Sequence, residues 1–181
     1  MTTPFRALNA QIDLPAMERS ILNFWRENII FEESTKARAT GTPWTFYEGP
    51  PTANGMPGTH HIEARVFKDV FPRYQTMKGK YVTRKAGWDC HGLPVEIAVE
   101  KELGFSGKGD IEKYGIAAFN DKCRESVTRH VDAFTAMTER MGFWVDFDEA
   151  YWTMAPEYVE SVWWSLKEIW KKGLLVQDHR V

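Results

Sequence analysis

Residues 46–66 read FYEGPPTANGMPGTHHIEARV, and the residue types gathered there suit a charged ligand. Pro50 and Pro51 stiffen the backbone, Asn54-Gly55 permits a tight turn with positive φ, and Gly58 has no side chain to hold a ligand off the main chain. His60 and His61 open a run of helical spacing. There, free N–H groups and the positive end of a helix dipole favour phosphate, and imidazole N–H groups can donate to the same oxygens. A nucleotide is the natural guest. The same residues would also serve a plain turn followed by two capping histidines, and the loop matches neither G-x-x-x-x-G-K-[ST] nor G-x-G-x-x-G.

A second stretch, RKAGWDCHGLPVEIAVEKELG at 84–104, adds an acid. Asp89 can pair with an ammonium group, His91 adds a polar group, and Trp88 and Leu93 could wall a small apolar pocket. Alone, an aspartate in such a place is more often a turn or cap residue. Cys90-His91 has no paired ligands at zinc spacing, so no metal site is expected.

Both stretches need elements to carry them. Asp13 is a fitting N-cap for a helix near 14–29, with Leu14, Met17, Ile21, Phe24 and Trp25 on one face. Residues 34–43 are small and polar, hence a loop, and WTFYE at 44–48 reads as a strand. A helix follows from about His60 to Met77, with Ile62, Val66, Val70 and Tyr74 four apart; Pro72 should kink it and Lys78-Gly79 end it. YVTRKA at 81–86 reads as a second strand, parallel to 44–48 through a right-handed crossover. The 49–59 loop and Asp89 would then meet at one sheet edge, where open α/β sheets bind ligands. Helices are expected over 119–141, striped by Val127, Val131, Phe134 and Met141, and over 156–172, striped by Val159, Trp163, Leu166 and Trp170. FWVDFDEAYW between them reads as a strand or an extended link. The expected fold class is α/β: half of a doubly wound parallel sheet with flanking helices.

Composition sets the limits. The chain has 181 residues, 43% hydrophobic and 27% charged, which suits one globular unit rather than disorder. A net charge of −2 gives no sign of a polyanion-binding surface. Cys90 and Cys123 are the only cysteines, which fits a reducing compartment. No apolar run approaches the about 18 residues of a membrane span, and MTTPFRALNAQIDL lacks the design of a signal peptide. The expected location is therefore cytoplasmic, with no membrane partner.

YEGPPTANGMPGTHH, FKDVFPRYQTMKGKYVTRKAGWDCHGLPVEIAVEKELG and WKKGLL together resemble the N-terminal part of the isoleucyl class I aminoacyl-tRNA synthetases. The resemblance covers essentially the whole chain, and GWDCHGLPVE distinguishes the isoleucyl branch from the valyl and leucyl ones. It implies a Rossmann-like fold of the HIGH type, with an N-terminal helical extension over 1–43. Residues 44–181 would be the N-terminal half of the catalytic domain, ending before an editing insertion. It also implies ATP-dependent activation of isoleucine and transfer to tRNA(Ile), by a monomer at full length. ATP would be a substrate with Mg2+ carried by the nucleotide, and tRNA would be met by parts outside these residues.

By the same resemblance, Gly58, Thr59, His60 and His61 form the HIGH element against ATP, with His60 and His61 catalytic and Asn54 nearby. Gly49 and Pro50 line the amino-acid pocket, and Asp89 binds the substrate ammonium. The order GTHH departs from His-x-Gly-His by exchanging a glycine and a histidine. Cys90 stands where threonine is common, offering a reactive thiol near the pocket. The KMSKS signature does not occur in these residues. Two alternatives remain open: a small standalone nucleotidyltransferase of the HxGH type, against which 84–104 argues, and a non-catalytic module that binds nucleotide or amino acid.

Overall fold

The computed structural model describes residues 11–179, so the first ten residues of the expected 1–43 extension and the last two of the chain lie outside the description. Asp13 accepts the Ala16 N–H at 3.0 Å and Pro15 sits in the first turn, which starts α1 at Leu14–Glu27. Ile29 then takes a left-handed backbone, φ 43°, and the chain resumes as α2, Ile30–Lys36. The helix expected over 14–29 is therefore shorter and the loop expected from Ser34 begins later. Apolar spacing does not register a single residue of reversed φ.

Gly58 precedes α3, Thr59–Met77, which Lys78 and Gly79 (φ 86°) close as expected. The helix runs unbroken through Pro72, which is buried, and Thr76 Oγ1 donates to the Pro72 carbonyl at 2.8 Å. Its buried residues are Arg65, Pro72 and Thr76, whereas Ile62, Val66, Val70 and Tyr74 are exposed. The apolar stripe thus faces away from the described core. Polar groups take the inner face because they find partners there: Arg65 Nε donates to Thr138 Oγ1 at 2.9 Å, and Arg84 Nη2 donates to Thr76 Oγ1 at 2.9 Å.

Residues 44–48 do not form the expected strand. Their approach to residue 81 is parallel, as expected, but it amounts to one Pro43–Tyr81 bridge, with Tyr81 N–H to Thr42 O at 3.1 Å and Trp44 N–H to Tyr81 O at 2.9 Å. Pro50 and Pro51, having no N–H, cannot extend a ladder. A side chain does the joining instead, the Tyr151 hydroxyl donating to Glu48 O at 2.7 Å.

The strand expected over 81–86 lies further on, as β1, Lys85–Trp88. Its partner is β2, Asp146–Trp152, in parallel, with Gly87 opposite Tyr151, Trp88 opposite Trp152 and an irregularity between Lys85 and Gly87. A Cβ on Gly87 would come within 2.5 Å of Tyr151 Cε1, so this strand position admits no larger residue without moving that ring.

Two helices not anticipated follow β1: α4, Leu93–Leu103, and α5, Lys108–Tyr114. The span 119–141 divides into α6, Ile116–Thr128, and α7, Val131–Arg140. The break falls where His130 N–H leaves the helical pattern to donate to Ala53 O at 3.1 Å, docking the 49–58 loop. Last comes α8, Pro156–Lys171, as expected.

The core holds Trp88, Cys90, Val95, Val127, Phe134 and the fully buried Ala53. Trp88 stacks on Phe147 with ring centroids 6.1 Å apart. No helix among the described residues is long and apolar enough to cross a membrane.

Candidate active site

The 49–58 loop is anchored at four points by three residues, Lys68, Asp89 and His130. At its start, Lys68 Nζ pairs with the Glu48 carboxylate and donates to Gly49 O. At Pro51, the carbonyl accepts the Asp89 N–H at 2.9 Å. Thr52 Oγ1 donates to Asp89 Oδ2 at 3.0 Å, across 37 residues of sequence. Ala53 fills the core and its carbonyl holds His130. The two stretches singled out in the sequence therefore meet at one edge, beyond the end of β1.

Asn54 reaches Pro94 O with its amide at 3.5 Å, and Gly55 stands in open space. Neither has a positive φ, so the expected left-handed turn is absent. The rigidity of the prolines and the anchoring of Ala53 shape the loop in its place.

Gly58 has extended backbone, φ −112° and ψ 176°, and is followed by Thr59 in the first turn of α3. Gly58 N–H donates to His61 Nδ1 at 2.9 Å, and His61 N–H donates to Gly58 O at 3.0 Å. An Nδ1 that accepts must carry a lone pair, so neutral His61 bears its proton on Nε2. The ring is clamped between Phe134, edge-on with centroids 4.8 Å apart, and His60, at 3.8 Å. Burial lowers the His61 pKa, and the neighbouring His60 and Arg65 act in the same direction. His61 is thus a neutral donor whose tautomer is fixed by the backbone. His60 is exposed and packs over Gly58, where an added Cβ would lie 3.0 Å from His60 Cε1. The GTHH order gives the two imidazoles unequal settings, one clamped and one open.

Arg65 lies one turn beyond His61, buried, with its guanidinium 5.4 Å from the centre of the Phe134 ring. Burial lowers its pKa, against the pull of Glu48. The cation therefore backs the aromatic wall that holds His61.

Trp88 is buried in the aromatic core, where it lines a small cavity with Glu48, Pro51 and Arg65, and Leu93 is 64% exposed. Cys90 is not an available thiol. It is buried, its Sγ donates to Trp88 O at 3.4 Å, and its N–H is taken by Thr153 Oγ1 at 2.8 Å. Sequence reasoning missed Thr52, Lys68, Tyr151 and Thr153. Thr52, Lys68 and Tyr151 lie within stretches quoted above and Thr153 just after one, but nothing local to the last three advertises contact with the loop or Asp89.

The family profile for tRNA synthetases class I (I, L, M and V) matches residues 20–181. The chain is 72% identical over 171 residues to the isoleucine–tRNA ligase of Cutibacterium acnes, covering 94% of this chain and 15% of that protein. It is 71% identical over 182 residues to the isoleucine–tRNA ligase of Streptomyces coelicolor, covering 100% of this chain and 17% of that protein. The chain thus spans about one sixth of the length of these curated relatives. Among solved structures, the ternary complex of an Agrobacterium radiobacter LeuRS with tRNA and LeuAMS superposes with TM-score 0.55 at 23% identity, over 93% of this chain and 19% of that one, which supports the fold. On that family match, the chain belongs to the class I tRNA synthetases of the I, L, M and V group.

Proposed function

We propose that this chain supplies part of the amino-acid-activating site of an isoleucine–tRNA ligase, with residues 44–181 as the N-terminal half of the catalytic domain and 1–43 as a helical extension. The observation that carries the reading is the pairing of Pro51 O and Thr52 Oγ1 with Asp89, which joins a phosphate-suited loop to a carboxylate suited to an ammonium group. Asp89, with Gly49 and Pro50, receives isoleucine. Gly58, Thr59, His60 and His61, with Asn54 at the loop, receive ATP, whose Mg2+ travels with the nucleotide. The substrate carboxylate attacks the α-phosphorus and pyrophosphate departs, giving the adenylate and then isoleucyl-tRNA(Ile). No nucleophilic side chain is required. The His61 Nε2–H and the first-turn N–H groups of α3 stabilise negative charge gathering on phosphate oxygens. The enzyme would act in the cytoplasm, as a monomer.

The test is isoleucine-dependent ATP–pyrophosphate exchange in the full-length chain. His61→Ala should raise the barrier by about 2.7–4 kcal/mol, seen in kcat, because its donor acts on developing charge. Asp89→Ala should raise the isoleucine KM with a smaller change in kcat. Equal effects of both variants on both parameters would show the roles to be wrongly divided.

A further inference from the structure

We infer that Thr153 is a positioning residue for the amino-acid site: its hydroxyl, delivered by the end of β2, sets the Asp89 carboxylate. The inference rests on the assignment of Asp89 to the substrate ammonium.

Thr153 is 5% exposed and follows the last residue of β2. Its N–H donates to Trp88 O at 3.1 Å, so the parallel pairing of β2 with β1 fixes where its side chain stands. The Cys90 N–H donates to Thr153 Oγ1 at 2.8 Å, and that oxygen lies 3.1 Å from His91 Nδ1 and 3.5 Å from Asp89 Oδ1. A hydroxyl has one proton and two lone pairs. The Cys90 N–H fills one lone pair. If His91 Nδ1–H fills the second, the hydroxyl proton goes to Asp89; if His91 Nδ1 accepts, it goes to His91.

In the first arrangement both Asp89 oxygens are held. Thr52 Oγ1 donates to Oδ2 at 3.0 Å, while Oδ1 takes the His91 N–H at 3.3 Å and the Thr153 hydroxyl. Two hydroxyls on opposite oxygens fix the plane of the carboxylate. One lone pair, on Oδ2, is then left for an ammonium group. Without the Thr153 hydroxyl, Oδ1 keeps only the His91 N–H, and more of the ordering falls to the substrate, at a cost in affinity. Valine keeps the threonine shape and removes the hydroxyl, so the contribution can be isolated.

In the full-length chain, Thr153→Val should raise the isoleucine KM in ATP–pyrophosphate exchange by about tenfold. The ATP KM and kcat should stay within about twofold, and Thr153→Ser should restore the isoleucine KM. Asp89→Ala is measured beside it. If Asp89→Ala leaves the isoleucine KM unchanged, the ammonium assignment fails and takes this inference with it. If Asp89→Ala raises that KM and Thr153→Val does not, the inference about Thr153 alone is overturned. A parallel loss in kcat and both KM values, unrescued by serine, also overturns it, since a merely structural role would act that way. Should Thr153→Val fail to fold in urea titration, Thr153→Ala carries the same test. If neither folds, the hydroxyl is a fold determinant and the positioning role is rejected.

Discussion

The two ends of α3 use similar chemistry to opposite effect. At the C-terminal end, Arg73 and Arg84 share Asp69, Arg84 adds Thr76 at 2.9 Å, and the Arg73 guanidinium lies 3.9 Å from the centre of the Trp144 ring. Trp144 packs in turn on Trp25 and Phe31. At the N-terminal end, His60 and His61 stack beside Phe134, but His60 is exposed and the His61 Nε2–H points to no partner within the described residues. Cations and rings enclosed by their neighbours make a fixed joint, even though Arg84 Nε there has no hydrogen-bond partner among the described residues. The same groups with one side left open make a site. The difference lies in which groups face outward, His60 exposed and Arg84 buried, and no tally of residue types reveals it.

The largest way to break this contrast is Arg84→Ala. Arg84 is 2% exposed and burial brings its pKa down to about 10, with Asp69 opposing. Removing one member of a buried charged cluster should cost about 3–5 kcal/mol of unfolding free energy. Urea titration measures it, and a loss under about 1 kcal/mol would place Arg84 among exposed pairs instead.

A smaller effect is expected at the joint between β1 and the loop. Gly87→Ala forces its new Cβ against the Tyr151 ring, within 2.5 Å, and should cost about 1–3 kcal/mol as an overpacked site. Tyr151→Phe, which removes only the bond to Glu48 O, should cost about 1 kcal/mol. Equal losses in the two variants would mean that the hydroxyl, and not the ring, locates the loop.

The smallest effect is in pH. The folded His61 ring has a lowered pKa, so below the ordinary value of 6.5 the unfolded chain takes up its proton first. Stability present above that value should fall as the solution is acidified through it, and His61→Gln should lose this component. Arg84, at about 10, stays charged throughout, so the closed end of α3 should not contribute. An identical pH dependence in the wild type and His61→Gln would remove His61 from the account.

Much of this molecule is local and therefore legible. Asp13 accepting the Ala16 N–H, the Gly79 that closes α3 and the proline that opens α8 act over a few residues, and the helices they bound stand close to where sequence spacing puts them. The helix α4 carries readable signals too, Pro94 in its first turn and Gly104 (φ 70°) at its end. The meeting of the loop with Asp89 followed from the rule that strand ends share a sheet edge, although the strand pairing assumed was wrong in detail: β1 pairs with β2, not with 44–48.

By itself the sequence determined the stiff loop, the histidines at a helix start, the acid after β1 and the family to which they point. Only the tertiary structure decided that α3 buries Arg65, Pro72 and Thr76 while exposing its apolar stripe. It also decided that His130 breaks a helix to hold Ala53, and that Thr153 stands between Asp89, Cys90 and His91. The physical reason is the same in each case. A polar group's partner lies tens of residues away in the chain, and periodicity records which way a side chain faces, not what waits there to pair with it.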